Sequence, residues 1–470
     1  MTTAHVPNQT TSPDALPGEV KPILVLLAIV VFIAVVNGTM INVALPYVGR
    51  EFQVGEGTYG WLVTAYALSF GIFNAINGRL SDNFGKKNIY MIGLATLGIG
   101  SLTVAASPTI DFAIAVRLIQ GAGAAALPVL GTSIIKQVVP ARQQGKAVGV
   151  ILSTVGVAAS IGPFLGGIIV QFLNWRFVFA ATGLSLFALP LAHKLLPDSL
   201  NEKNHSPFDW PGAVLLGLGI STLLYSFELI QAMVEWWKLG LLFTVSFALL
   251  GGFLLRLKTA TYPFISLETF TKPSYLASCA VAAATNAARF GSVVIAPIVL
   301  TEIKHEPPLM IGATLFPGAL AIAFLSSKSG AWADKKGPRL PVSIGLLCLT
   351  AGSAIMALSG GSVWGMAAGL TLFGVGYALA QSPLVSTVNR TLPQKLAGTG
   401  VGVFMMIFFV GGAAGVAACV TISDMFPTDH ALFFNLVPAE TAPFAVALTL
   451  LGAISLLAQI PARMLPSKAA

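Results

Sequence analysis

Gly78-Arg79-Leu80-Ser81-Asp82-Asn83-Phe84-Gly85-Lys86-Lys87 is a glycine-bracketed charge cluster between two long apolar runs. A looser copy returns as Gly330-Ala331-Trp332-Ala333-Asp334-Lys335-Lys336-Gly337-Pro338-Arg339. In each copy a Gly is followed four residues later by Asp and, three residues after that, by another Gly. Other pairs keep the same offset of about 250 residues: Gly145 and Val148-Gly149-Val150 match Gly398 and Val401-Gly402-Val403, and Gly121-Ala122-Gly123 matches Gly374-Val375-Gly376. Self-similarity at one fixed offset marks duplicated halves.

The composition says what kind of halves these are. The chain has 470 residues, 55% of them hydrophobic and only 9% charged, with a mean hydropathy of +0.83. Soluble domains run near ~25% charged, so the chain reads as an integral membrane protein. Apolar runs of about 20 residues recur end to end, as helices crossing a hydrocarbon core require. A membrane barrel would show short alternating segments instead. Cys279, Cys348 and Cys419 stand singly in separate runs, which suggests neither a disulfide framework nor a metal site. No phosphate-cradling loop is present to support an ATP-driven pump, and no nucleic-acid partner or cofactor is expected.

We count about fourteen runs, giving an all-α integral membrane fold of two six-helix bundles with two inserted central helices. The expected division is a polar cytosolic tail over residues 1–21, a first bundle over 22–196, a linker with two extra spans over 197–273, and a second bundle with a short tail over 274–470. The run after Lys21 is too long for a signal-peptide core, and no small-residue cleavage site closes it. Lys and Arg concentrate in alternate loops, at Arg79, Lys86, Lys87, Arg142, Lys146, Lys335, Lys336, Arg339, Arg390 and Lys395 among others. The opposite loops collect Glu51, Glu56, Glu302 and Glu306. The positive-inside bias therefore predicts both termini in the cytosol and accounts for the net charge of +8.

With the motifs in hand, the chain resembles the major facilitator superfamily, and within it the fourteen-helix drug:proton antiporters. The cluster fits the loop motif Gly-x-Leu-x-Asp-x-x-Gly-Lys/Arg-Lys/Arg. Arg117-Leu-Ile-Gln120-Gly121-Ala-Gly123 fits the fourth-helix motif, and Gly156 through Gly162-Pro163-Phe164-Leu165-Gly166-Gly167 fits the fifth-helix motif of antiporters. Asn42-Val43-Ala44-Leu45-Pro46 and Asn174-Trp175-Arg176-Phe177 are similar to the fourteen-helix branch, and Val36-Asn37 to Pro46 to its tetracycline exporters. The resemblance implies alternating access, with proton and conformational coupling at Gly78, Asp82, Gly85, Arg117 and Gln120. It also implies a gating helix at Gly156, Gly162, Pro163, Gly166 and Gly167.

Physical chemistry adds its own alternatives. Asp82 can hydrogen-bond a neighbouring helix N-terminus, while Lys86 and Lys87 also serve as plain positive-inside anchors. An arginine inside a span, as Arg117 is, is costly unless paired or hydrated; it either handles protons or braces helix carbonyls. Asp111 is expected to cap the fourth span.

The departures bear on cargo. Where the branch carries a span-one carboxylate this chain has Asn37 and Gly38, and Ala158–Ser160 brings no acid to span five. Span nine instead carries Asn286 and Arg289 near its middle, and the repeat sets Arg289 opposite Asn37. Candidate substrate contacts are therefore Asn37, Asn42, Asn286, Arg289, Met405 and Phe408. The expected activity is secondary active export of a small organic compound, tetracycline-like or another drug, by proton antiport across the bacterial cytoplasmic membrane. The protein is expected to act as a monomer and not as an enzyme. The alternative is export of an endogenous anionic metabolite such as a carboxylate siderophore, favoured by Arg289 and the missing acids.

Overall fold

A computed structural model describes residues 20–201, 209–231, 235–261, 267–392, 394–425 and 437–467. Every regular element among them is helical. The first half comprises α1 (Val20–Phe52), α2 (Glu56–Phe84), α3 (Lys86–Ala105), α4 (Ile110–Ala124), α5 (Ala126–Val138), α6 (Ala141–Phe172), α7 (Trp175–Gly183) and α8 (Ala188–Leu195). A hairpin of α9 (Trp210–Gln231) and α10 (Trp236–Thr259) follows. The second half comprises α11 (Pro273–Ile298), α12 (Pro308–Lys336), α13 (Arg339–Leu358), α14 (Val363–Thr391), α15 (Gln394–Met425), α16 (Ala442–Leu457) and α17 (Gln459–Ala462).

Eleven stretches among the described residues are long and apolar enough to cross a membrane. Helices α2, α6 and α9 fall outside that set, with shorter apolar windows at Val157–Phe172 in α6 and Trp210–Leu223 in α9. Within α2, Thr64, Ser69, Asn74 and Asn77 are buried against protein, where neighbouring helices can satisfy polar side chains. Phe172, Phe187, Trp236, Trp237 and Trp364 are exposed on the outside, as a lipid-facing surface allows.

The duplicated cluster forms the same turn twice. Gly85 between α2 and α3 has φ 89°, and Gly337 between α12 and α13 has φ 86°. Each closes its preceding helix with a backbone bond, Gly85 N to Ser81 O and Gly337 N to Ala333 O, both 2.9 Å. Only glycine takes this backbone geometry without strain, which explains its fixed place three residues after the Asp. Packing repeats as well: a Cβ on Gly93 would lie 2.6 Å from Gly123 O, and one on Gly345 would lie 2.6 Å from Gly376 O.

Local chemistry sets the remaining breaks. Prolines interrupt α1 at Pro46, α6 at Pro163, α12 at Pro317 and α14 at Pro383. Neighbouring helices can tolerate the freed carbonyls at such sites. After Pro297, α11 widens into a π turn, Val299–Ile303, closed by Lys304 N to Val299 O at 3.2 Å. Asp111 does not cap α4. Thr109, extended at φ −136°, accepts from Phe112 N at 3.3 Å, two residues earlier than the sequence suggested.

Between the halves, α2 packs on α15 and α6 on α12. The α9–α10 hairpin is tied by Arg256 Nε to Asp209 Oδ1 at 2.9 Å and Ser246 Oγ to Gly219 O at 2.8 Å, and α9 leans on α15 and α2.

Candidate functional site

Three features occupy the interface and the core. The first is a polar knot around Arg117, which is 0% exposed. Its Nε donates to Leu62 O at 2.9 Å, and its Nη1 donates to Asn37 Oδ1 at 3.0 Å and Gln120 Oε1 at 2.7 Å. Gln120 Nε2 continues to Ser101 Oγ at 2.6 Å, and Asn37 Nδ2 to Thr182 Oγ1 at 2.9 Å. Thr182 in turn donates to Ser101 Oγ at 3.0 Å, closing the loop. Tyr66 lies under the guanidinium, 4.0 Å from ring centroid to Cζ. A buried cation is tolerable only when acceptors and aromatic faces replace its water. Here neutral oxygens from α1, α2 and α4 do so.

The second feature is a seam joining the halves near the α1–α2 turn. Arg50 on α1 meets Glu302 at 3.3 Å and donates to Thr301 O at 3.3 Å. Ser423 Oγ on α15 donates to Glu56 Oε2 on α2 at 3.3 Å. Phe70 packs on Phe409 with centroids 4.6 Å apart, and Phe164 on Phe316 at 5.8 Å. Small residues let the backbones close. A Cβ on Gly71 would strike Phe409, one on Gly312 would strike Pro163 O, and one on Gly167 would strike Pro308 O and Leu309. Gly162 and Gly166 face Thr39 and Met40 of α1 instead. At the other end of α2, Gly78 has no heavy atom within 4 Å of where a Cβ would stand.

The third feature is a crevice of ≈ 550 Å³, part of it open to its surroundings, walled by α1, α6, α11, α12 and α14. Thr39, Asn42 and Arg289 are its polar lining; Pro163, Phe290, Leu315, Ile322, Leu370 and Phe373 belong to its apolar wall. Arg289 is the one charged side chain among the described lining residues. Its Cζ sits 4.5 Å from the Tyr377 ring centroid and 5.6 Å from that of Phe290. Asn42 donates from Nδ2 to Thr39 O at 3.3 Å, while its buried Oδ1 has no partner.

The sequence candidates therefore separate. Arg289, Asn42 and Pro163 meet at the crevice, whereas Asn37 joins Gln120 in the Arg117 knot. Asn286 is buried and donates to Phe408 O at 2.8 Å; Phe408 lies behind the crevice against Tyr377, 6.4 Å between centroids. Met405 is half-buried in α15 beside them. Asp82's side chain and the surroundings of Gly156 lie outside the described residues. Sequence reasoning missed Ser101, Thr182, Tyr377 and the Arg50–Glu302 bridge. The last had a signal, because Arg50 and Glu302 stand at the same offset as the two charge clusters.

The Major Facilitator Superfamily model matches residues 27–416. The chain belongs to that superfamily. It is thus a multi-pass membrane transporter, and its relatives in the superfamily include drug-resistance proteins. It is 26% identical over 392 residues to the multidrug resistance protein Stp of Mycobacterium tuberculosis (strain ATCC 25618 / H37Rv), covering 82% of this chain and 72% of Stp. It is 27% identical over 414 residues to the puromycin resistance protein pur8 of Streptomyces alboniger, covering 85% of this chain and 81% of that protein. The riboflavin transporter RibZ of Clostridioides difficile (strain 630) is 26% identical over 400 residues, covering 84% of this chain and 86% of RibZ. Among solved structures, a bacterial homolog of the human lysosomal transporter Spinster superposes with a TM-score of 0.68 at 13% identity, covering 95% of this chain and 98% of that one.

Proposed function

We propose that this superfamily member is a secondary active exporter of a small organic compound, working by alternating access in the bacterial cytoplasmic membrane. The observation that carries the reading is the crevice between the halves, sealed by the seam at the α1–α2 end. With fourteen spans and both termini cytosolic, that end is extracytoplasmic, and the described state receives cargo from the cytosol. Opening requires α2 to part from α15 and α6 from α12, with Pro163 and Gly167 at the sliding surface and Gly162 and Gly166 holding α6 to α1. The drug-resistance relatives favour antibiotics as cargo.

Proton antiport is the proposed energy source. Asp82 at the end of α2 sets the balance between the two states, and the Arg117–Gln120 knot transmits it to α1. The protein acts as a monomer in the bilayer. Export of an endogenous anion is the second reading, favoured by Arg289 in a crevice without a described acid. Everted vesicles separate these. Under an imposed pH gradient, uptake of a drug panel should rise and collapse with an uncoupler; uptake indifferent to the gradient defeats proton coupling.

A further inference from the structure

We propose that the crevice is a recognition site for an amphipathic organic anion bearing an N–H or O–H donor near its acid group. This deepens the exporter reading and rests on it. The two core arginines make the contrast. Arg117 is fully buried within the first half, with Nε and Nη1 on oxygen acceptors and only Nη2 unpartnered, and it does not line the crevice. Arg289 is half-buried at the crevice wall, and among the described residues its neighbours are the Tyr377 and Phe290 rings, with Tyr377 also sharing a hydrogen bond. Aromatic faces hold a guanidinium flat but do not use its in-plane donors, which match a carboxylate, sulfonate or phosphate edge.

Position removes the other source of a counter-charge. The acidic residues that fall in helices are Glu51, Glu56, Asp82, Asp111, Asp198, Glu228, Glu268, Glu302, Asp334, Asp424 and Glu440, and each lies within four residues of an element's end. Arg289 sits in the body of α11, on the crevice.

Asn42 supplies the second recognition element. It is 3% exposed, lines the same crevice, and its Oδ1 lacks a donor. A buried acceptor of this kind is satisfied by a ligand N–H or O–H. The rest of the wall, Phe290, Leu315, Leu370 and Phe373 among it, suits an apolar body.

The test uses three probes sharing one naphthyl body and one amide N–H: N-(2-naphthoyl)glycine, its methyl ester, and the cationic N-(2-aminoethyl)-2-naphthamide. Binding to the full-length protein in lipid nanodiscs is measured by equilibrium dialysis. The anion should bind about tenfold or more tightly than either partner, the order of one charge-assisted contact. Arg289→Gln should bring the three within about threefold, with Arg289→Lys retaining part of the preference. A fourth probe, N-(2-naphthoyl)-N-methylglycine, lacks the amide N–H; the native protein should prefer the glycine amide to it, and Asn42→Leu should erase that preference. Thermal unfolding of each variant shows that it is folded, and Arg289→Lys serves if the glutamine variant is not. Equal affinity for the three probes, no binding of the anion, or a preference that survives Arg289→Gln overturns the proposal. Anion-selective binding without flux in proteoliposomes would instead remove the export reading and leave the site standing. Flux of the amine without anion preference does the reverse.

Discussion

Arg117 and Arg289 show how two repeats diverge one side chain at a time. At the repeat offset Asn37 corresponds to Arg289 and Arg117 to Leu370, so the cation has moved from the fourth helix of one half to the first helix of the other. In the first half it is enclosed; in the second it opens on the crevice. Removing Arg117 leaves Leu62 O, Asn37 Oδ1 and Gln120 Oε1 without their donor. Arg117→Gln should therefore cost about 2–5 kcal/mol, read as a lowered unfolding midpoint in detergent. Arg117→Lys should recover little, since a point ammonium cannot serve three acceptors in one plane. A lysine variant as stable as the native protein would refute the bracing role. A smaller electrostatic effect lies at Asp198, where the hydrogen bond from Lys87 Nζ, 2.7 Å, and its charge hold the carboxyl below the usual range. A depressed folded value means the pair's stabilisation is present above the ordinary carboxylate pKa and is lost as pH falls through the depressed value. The difference in midpoint between the native protein and Asp198→Asn should vanish in acid. Both arginines were legible in the sequence because a charge in an apolar run stands out. Ser101 and Thr182 were not: small hydroxyls are common in membrane helices, and only the fold brings α3 and α7 to Arg117.

At the scale of elements, α6 shows what a small-residue run does. Positions 162 and 166 are one helical turn apart and share a face, which the structure lays on α1. Position 167 is rotated about 100° further and meets the start of α12 across the seam. Gly162 and Gly166 thus tighten one half, while Gly167 governs contact between halves. Gly167→Val places methyl groups against the backbone of Pro308 and Leu309, which cannot give way as a flexible side chain would. The seam should open: disulfide formation between Arg50→Cys and Glu302→Cys should fall several-fold, and an unchanged yield counts against the gating role. The motif announced close packing without saying which residue faced which partner, because that depends on the rotation of α6 about its own axis. The turn glycines were easier. Gly85 and Gly337 occupy a backbone region that leaves little choice of residue, so their recurrence was visible before any coordinates.

For the whole molecule, one offset relates the turns at Gly85 and Gly337 and the close contacts at Gly93 and Gly345, since duplicated packing leaves duplicated glycines. Within α2, Thr64, Ser69, Asn74 and Asn77 form a polar set buried against protein. Which helix ends touch in the resting state was hidden, because two states share one sequence. That asymmetry of contact has an electrical consequence. In the proposed cytosol-open state, with the seam shut at one end and the crevice reached from the other, the transmembrane field would fall mainly across the seam. When the access side switches, the field drop moves to the other side of Arg289. The arginine then crosses much of the voltage while scarcely changing place. One elementary charge in ~100 mV is worth about 2.3 kcal/mol, enough to bias the two orientations by more than tenfold. Voltage steps on membranes rich in the protein should produce capacitive charge movement without cargo, and Arg289→Gln should remove most of it. Movement undiminished in that variant would assign the sensing charge elsewhere.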